Sequence, residues 1–467
     1  MKKYLLFILL LFTSGVLSAQ KPNVVFILVD DMGYGDLGCY GQKLIETPNI
    51  DKIATLGIKF NQFYAGTSVC APSRASLMTG LHTGHTPVQG NYEIKPEGQL
   101  PLPDSILILP ELFKKAGYAT GGFGKWGLGY PGSEGDPVKQ GMDVFFGYNC
   151  QRQSHNYFPN HLWSNLEKVE LDNTLTRQTQ YAPDLIQKKA IEFIVKNKSN
   201  PFFLYLAYTL PHAALQLPHG DKTFGYYKAK FKEQPRKVSD NWDGIGYQPQ
   251  AYPHAAYAAM VTKVDNYVAE IVLRLKEQGL DKNTIIIFSS DNGPHIEGGN
   301  DPSYFNSSGG FKGVKRMLNE GGIRTPLIMA WPGKIKGGQV SEHVGAFWDF
   351  FPTFSELTEQ KINYPTDGIS MLPLLLGKPQ VSQHDFLYWE FHEDGGRQAV
   401  RLGNWKGIRE KVISNPDAPI ELYDLDIDPK ESRNLASAHS DIIEKIKIIM
   451  KTEHLENKNF PFIKKNK

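Results

Sequence analysis

The chain has 467 residues, of which 41% are hydrophobic and 21% are charged, a composition typical of a globular protein rather than a disordered or fibrous one. Its 51 basic and 49 acidic residues give a formal net charge of +2. No long block of like charge precedes the last few residues, so the sequence predicts no nucleic-acid partner.

The first residues have the pattern of a secretory signal peptide. Two lysines precede an apolar run from Tyr4 to Phe12, and small residues follow as far as Ala19. We therefore predict a signal peptide over residues 1–19 and an exported protein, periplasmic or secreted. An uncleaved membrane anchor is the alternative, although the run is short for a membrane span. No second candidate span follows, so no transmembrane domain is expected after signal removal.

Two apolar runs predict buried strands that end in polar residues. Residues 24–29 and 285–288 are continuously apolar, as in strands covered on both faces. In an open α/β sheet the carboxyl ends of the strands border one ligand-binding crevice. The side chains expected to meet there are Asp30, Asp31, Asp291 and Asn292. They offer only oxygen, which favours a hard cation such as Ca²⁺, although either pair alone could instead cap a helix or lie in a solvated turn.

The segments between these runs alternate between helix and strand patterns. Residues 109–126 predict a helix that runs into a strand, and residues 201–213 predict a further buried strand. Residues 257–278 carry apolar side chains on one face of a helix that Gly279 would end. A last buried strand is expected within residues 325–333. The alternation predicts an α/β fold.

The end of the chain has a different pattern. Residues 365–380 resemble a linker, and short strand-like segments follow before a final helix at about Ser440 to Glu453. We therefore predict a catalytic domain over residues 20–365 and a smaller C-terminal subdomain over residues 366–467.

Cys70 lies at a predicted helix start, in the segment CAPSRASLMTG. One interpretation is a thiolate nucleophile of low pKa, because the helix dipole and Arg74 both favour negative charge. The other is a buried cysteine in a helix-entry loop, with Pro72 in the first turn. Together with Cys39 and Cys150 the count is odd, so at least one cysteine is unpaired, and Cys70 is the candidate.

The same segment resembles the signature of the type I sulfatases, C-x-P-S-R followed by T-G. Further segments stand in family order over most of the chain: VVFILVDDMGYGD, GKWGLG, PHAALQLP, SSDNGPH, NEGGIRTPLIMAWPG and ELYDLDIDPKESRNLA. The resemblance implies an alkaline-phosphatase-like fold, with a large, mostly parallel sheet between helices and a C-terminal domain of antiparallel sheet and helix. It also implies that a sulfatase-maturation enzyme converts Cys70 to Cα-formylglycine, and that the protein hydrolyses a sulfate ester.

The resemblance assigns roles to several further residues. A hydrated formylglycine offers two hydroxyls, one that attacks sulfur at a metal and one that later releases sulfate, so residue 70 would join the metal ligands. Arg74 and Lys125 would hold the anion. His212 would protonate the departing alcohol. Lys315, rather than Lys312, falls at the position of the family's second lysine.

The sequence departs from the family at Gly127, where the family has the histidine of G-K-W-H. We expect His155 to take over that role, although a surface or substrate-pocket histidine is the alternative. Leu81 is a second departure, because arginine is frequent at that position.

The substrate predicted from the resemblance is a sulfated sugar, with galactose or N-acetylgalactosamine sulfates favoured. Residues 147–159 and 387–401 would bring aromatic side chains, His392 and Arg397 toward the mouth of the site. Two alternatives stay open. One is a phosphate or phosphonate monoester hydrolase of the same superfamily, and the other is an inactive carbohydrate-binding relative, which the missing histidine alone supports.

Overall fold

The computed structural model describes residues 21–238, 242–361 and 363–462, so the predicted signal peptide over residues 1–19 lies outside the described residues. The strands are β1 (Asn23–Val29), β2 (Ile58–Phe60), β3 (Phe63–Tyr64), β4 (Ala119–Lys125), β5 (Val144–Tyr148), β6 (His161–Ser164), β7 (Glu167–Glu170), β8 (Phe202–Ala207), β9 (Thr284–Ser290), β10 (Leu327–Ala330), β11 (Gln339–Ser341), β12 (Gly345–Ala346), β13 (Leu387–Phe391), β14 (Arg397–Leu402), β15 (Trp405–Glu410) and β16 (Ile420–Asp424). The helices are α1 (Pro48–Leu56), α2 (Cys70–Thr79), α3 (Leu109–Lys115), α4 (Ala182–Lys196), α5 (Lys222–Phe231), α6 (Pro253–Glu277), α7 (Pro302–Phe305), α8 (Glu320–Ile323), α9 (Phe350–Leu357), α10 (Leu372–Leu375) and α11 (Ser440–Thr452).

The centre of the molecule is a ten-stranded sheet of order β11-β2-β10-β9-β1-β8-β4-β5-β6-β7. The run from β9 to β5 is parallel, whereas β10, β6 and β7 are antiparallel to their neighbours in the sheet. Alternate residues of β1 face opposite sides. Val25 and Ile27 join a core with α1, α4 and α6, and Val24 and Phe26 join one with α2, α3 and α9. The sheet therefore lies between two helical layers, as the predicted fold class requires.

The C-terminal part contains a second sheet, with strand order β13-β14-β15-β16 and every pair antiparallel. Helix α11 covers this sheet, since Ile446 and Met450 pack with Val400 and Leu422. The predicted antiparallel sheet and final helix are confirmed. The domain boundary at residues 365 and 366 stays a prediction.

Buried charges join this second sheet to the central part. Lys406 of β15 is fully buried and donates to Glu320 Oε1 at 2.8 Å, with Glu431 Oε1 at 3.7 Å. Tyr64 and Trp389 surround the same ammonium group. An uncompensated ammonium group here would be costly, so the two sheets are tied together by charge pairing as well as by apolar contact.

Two expectations are refined. Helix α6 begins at Pro253, four residues before the predicted start at Tyr257, because proline suits the first turn of a helix. Cys39, Cys70 and Cys150 are all free thiols, so the structure pairs none of the three cysteines. Among the described residues, no helix is both long and apolar enough for a membrane span.

Candidate active site

The carboxyl ends of β1 and β9 bring together the four predicted oxygen-bearing side chains. Asp30 and Asp31 follow β1, and Asp291 and Asn292 follow β9. The Asp31 amide donates to Asp291 Oδ1 at 3.1 Å, and Asn292 Nδ2 donates to Asp31 Oδ1 at 2.7 Å. All four residues are fully buried. The parallel register of the two strands therefore produces one compact polar cluster.

This cluster has the chemistry of a metal site. One ligand atom each from Asp30, Asp31, Cys70 and His212 lies within 4.8 Å of the others. Asn292 Oδ1 is buried and accepts no hydrogen bond from the described residues. Because buried polar atoms are rarely left unpaired, this orphaned oxygen fits a cation as its partner. The carboxylate and amide oxygens are the ligands that a hard cation prefers.

Cys70 is the first residue of α2 and lies against the cluster. Its Sγ is 3.2 Å from Asp30 Oδ1 and 4.0 Å from Asp31 Oδ1. Burial and the neighbouring Asp30 carboxylate raise the pKa of the Cys70 thiol well above its ordinary value. The interpretation of Cys70 as a thiolate of low pKa is therefore wrong. The structure instead has a buried cysteine at a helix start with Pro72 in the first turn.

Two cations lie on the other side of Asp30. The Arg74 guanidinium, also fully buried, donates from Nε and Nη2 to Asp291 Oδ2 at 3.0 and 2.8 Å, and from Nη1 to the Lys125 carbonyl at 2.9 Å. Lys125 Nζ donates to Asp30 Oδ2 at 2.7 Å. Burial raises the pKa of Asp30, but Lys125 and the other positive groups outweigh it and hold that pKa well below its ordinary value.

Lys315 and His212 lie beside Asp31, on the side of the cluster away from Arg74 and Lys125. Lys315 Nζ is 2.7 Å from Asp31 Oδ2 and 3.0 Å from His212 Nε2. Burial and the Lys315 ammonium hold the pKa of His212 well below its ordinary value. The neutral ring can therefore accept from Lys315 at Nε2 and donate to the Ala213 carbonyl from Nδ1. Lys312 lies elsewhere, with its ammonium group at 3.2 Å from the Tyr423 hydroxyl.

His155 lies at the edge of the same site. Its ring stacks on that of His212, with centroids 4.7 Å apart and planes 5° apart, and Tyr247 lies 5.1 Å away. Burial and the nearby His212 hold the pKa of His155 well below its ordinary value. His155 is therefore a cavity-lining imidazole beside the cluster, not a surface residue.

Two cavities meet at His155 and Arg152. The first, here called the reaction cavity, has a volume of about 270 Å³ and is bordered by Cys70, His212, Lys315, Gln151 and Arg316 among others. The second, here called the outer cleft, has a volume of about 700 Å³. A bound molecule can therefore place one group in the reaction cavity, beside the cluster, while the rest of that molecule occupies the outer cleft.

Several residues of the reaction cavity escaped the sequence analysis, among them Asn91, Gln99, Tyr247 and Arg316. Each lies outside the helices and strands. Asn91, Gln99 and Tyr247 belong to no segment that carries the family resemblance, and Arg316 directly follows Lys315. The prediction for His392 is wrong, because its ring pairs with Glu390 at 2.8 Å and stacks on Phe462 instead of lining either cavity.

Arg397 comes next to the cavity wall, as predicted, without lining either cavity. Its Nη1 donates to the carbonyl of the cavity residue Arg316 at 3.0 Å.

The fold and site define a class of α/β protein in which an acidic cluster suited to a metal ion lies beside a buried cysteine and three buried cations. Comparison with known proteins places the chain within that class. The family model described as Sulfatase matches residues 22–360, and the model described as N-sulphoglucosamine sulphohydrolase, C-terminal, matches residues 310–458. The chain belongs to the sulfatase family and is a sulfuric ester hydrolase.

Individual relatives agree with this assignment. The chain is 32% identical over 422 residues to the N-acetylgalactosamine-6-sulfatase of Mus musculus, covering 85% of this chain and 74% of that protein. It is 27% identical to the N-acetylgalactosamine-6-O-sulfatase of Bacteroides thetaiotaomicron, covering 93% of each. The crystal structure of Ps i-CgsB superposes with a TM-score of 0.76 at 29% identity, covering 93% of this chain and 94% of that one. The predicted membership of the type I sulfatases is confirmed.

Proposed function

We propose that this sulfatase removes sulfate from a sulfated carbohydrate, using formylglycine at position 70 and a Ca²⁺ ion. The observation that carries the proposal is the position of Cys70. Its Sγ is 3.2 Å from Asp30 and borders the reaction cavity together with His212 and Lys315. A formylglycine hydrate at this position would supply two hydroxyls on one carbon, one to attack sulfur and one to release sulfate.

The proposed metal ligands are the oxygens of Asp30, Asp31, Asp291 and Asn292, together with residue 70. When bound there, Ca²⁺ would supply positive charge that polarises the sulfate ester and favours an ionised hydroxyl. The orphaned Asn292 Oδ1 supports this assignment.

The remaining side chains are proposed to bind the anion. Arg74 and Lys125 are fully buried and fixed by the hydrogen bonds described above, so their charges need no rearrangement as negative charge develops. Lys315 is held at 2.7 Å from Asp31 and borders the reaction cavity, where it can contact an ester oxygen.

The two stacked imidazoles are proposed to move protons. His212 is proposed to protonate the departing alcohol from Nε2. Because that atom accepts from Lys315 Nζ at 3.0 Å in the free protein, its proton must first be supplied across that hydrogen bond. His155 replaces the histidine missing at Gly127 and accepts a proton from the second hydroxyl. Its lowered pKa keeps the ring neutral, which is the form a base requires.

The outer cleft supports a carbohydrate substrate. Its volume of about 700 Å³ lies in the range of small-molecule sites, and Trp242, Asn156 and Arg152 offer stacking and hydrogen bonds to a sugar. The two relatives named above are N-acetylgalactosamine sulfatases. We therefore favour galactose or N-acetylgalactosamine sulfates. The protein is proposed to be exported and to depend on a sulfatase-maturation enzyme as its partner.

The test combines mass spectrometry with metal analysis of the active protein. We expect the peptide that contains residue 70 to carry formylglycine, and we expect Cys70→Ala to fold but to lose turnover. Chelation should suppress activity, and Ca²⁺ should restore it, with bound calcium measured by elemental analysis. Asp291→Asn should lower the calcium content as well as the rate. An active enzyme with only an unmodified thiol at position 70 would falsify the formylglycine assignment, and full activity without metal would exclude Ca²⁺.

A further inference from the structure

The side chain of Gln151 borders the reaction cavity, and its amide nitrogen Nε2 has no hydrogen-bond partner among the described residues. The residue is 7% exposed, and Nε2 itself is buried. Its backbone is firmly held, because Ser154 Oγ donates to the Gln151 carbonyl at 2.6 Å. Native structures rarely leave a buried amide unpaired, so the side chain indicates a ligand that the protein itself does not provide.

The amide occupies the space left by Gly127. A Cβ at Gly127 would lie 3.3 Å from Gln151 Cγ and 3.5 Å from its Nε2. The two segments are fixed relative to one another, since the Gly127 amide donates to the Asn149 carbonyl at 3.0 Å. Gly127 also has a φ of +75°, which disfavours a larger side chain. The Gln151 side chain therefore packs directly against Gly127, where a larger residue would crowd it.

We propose that Gln151 donates a hydrogen bond from its side-chain amide to an oxygen of the bound sulfate group. This inference rests on the proposed function. The amide can present either end to the cavity by a half-turn of its last bond, and an anionic oxygen, which only accepts, selects the NH₂ end. An amide does not take up a proton near neutral pH, so Gln151 binds and orients the ester, whereas His155 handles the proton.

The test uses two substitutions that keep the length of the side chain. Gln151→Met removes the donor, and we expect kcat/KM for an aryl sulfate to fall roughly 10- to 100-fold, the usual effect of losing a hydrogen bond to a charged group. Inhibition by inorganic sulfate should weaken by a similar factor. Gln151→Glu should lose more, because it places a negative charge against the anion. The Tm of Gln151→Met should not fall, since the substitution removes an unpaired buried amide.

The control is Gln339→Met in the edge strand β11, outside the lining of the reaction cavity, which should match the wild type in kcat/KM and in sulfate inhibition. Unchanged kcat/KM and unchanged sulfate inhibition in Gln151→Met would overturn the inference. So would a loss of activity accompanied by a lower Tm and normal sulfate inhibition, since that pattern indicates a structural role. The proposed function fails separately, if wild-type protein with formylglycine at position 70 hydrolyses no sulfate ester.

Discussion

At the scale of single residues, the site is a balanced group of buried charges. Three carboxylates, of Asp30, Asp31 and Asp291, face three cations, of Arg74, Lys125 and Lys315. Buried ions are tolerated only when they are paired and hydrogen-bonded, so each member supports the others. The arrangement keeps several fixed positive charges beside the reaction cavity without an unpaired charge in the core.

The proposed roles of His155 as a base and His212 as an acid can be tested by substituting each residue. We expect His155→Ala to lower kcat by roughly 10²- to 10⁴-fold, the usual contribution of a general base. His212→Ala should be most damaging for a sugar sulfate and less so for an aryl sulfate, because an aryl alcohol needs less protonation to depart. Steady-state kinetics with both substrate types measures the difference.

The exposed His219 provides a matched control for this test. His219→Ala should leave kcat and KM unchanged with both substrates. A rise in KM alone for His155→Ala would make His155 a substrate-binding residue and would contradict its role as a base.

At the scale of elements, the close approach of β4 and β8 positions Lys125. Gly124 precedes Lys125, has a φ of +118°, and would place a Cβ 1.9 Å from the Ala207 carbonyl oxygen. Gly117 has a φ of +80° but faces open space. Alanine at either position would be strained by the positive φ, but only alanine at position 124 would also clash with Ala207. Comparing the two variants therefore separates the effect of the clash from that of the backbone strain.

We expect Gly117→Ala to lower the free energy of unfolding by about 1 kcal/mol, from strain at positive φ. Gly124→Ala should lower the free energy of unfolding by about 3 kcal/mol or more. It should also lower kcat, because β4 and β8 must move apart and Lys125 moves with β4. Urea unfolding and kinetics measure both effects. Equal losses of stability in the two variants would show that the contact between strands does not position the site.

The sequence predicts elements best where one pattern governs a whole segment. The apolar run of β1 and the polar residues after it predicted the strand, its burial and the polar cluster at its end, because burial on both faces and a polar strand end are local properties. Tyr247 could not be placed from pattern alone, since loops have no periodicity and their contacts are distant in sequence. The failure for His392 has the same origin, because its partners Glu390 and Phe462 were not visible as a pattern.

At the scale of the whole molecule, the C-terminal sheet is attached through the buried group of Lys406, Glu320 and Glu431. Burial raises the pKa of Glu431 to about 7, with Glu320 adding to the rise and Lys406 opposing it. The folded protein therefore holds a proton on Glu431 that the unfolded chain releases at a lower pH. This contribution to stability is present in acid and is lost as the pH rises from about 4.5 to about 7.

We expect Glu431→Gln to remove this pH dependence while keeping an acceptor for the Glu320 amide, which donates to Glu431 Oε2 at 2.9 Å. The free energy of unfolding of the wild type should fall between pH 5 and pH 8 by about 2 kcal/mol more than that of the variant. Urea titrations at the two pH values measure the gain. A difference between the proteins that does not change with pH would contradict the raised pKa.

The central claim is that the site hydrolyses sulfate esters of carbohydrates through the modified residue 70. The most direct measurement is the release of inorganic anion from position-defined sulfated galactose and N-acetylgalactosamine saccharides, with the matching phosphate esters run in parallel. The protein is produced with a maturation enzyme, and Cys70→Ala serves as the blank. We predict sulfate release from at least one of these saccharides by the wild type, none by Cys70→Ala, and much slower release of phosphate. Preferential hydrolysis of the phosphate esters, or equal sulfate release by Cys70→Ala, would contradict the account.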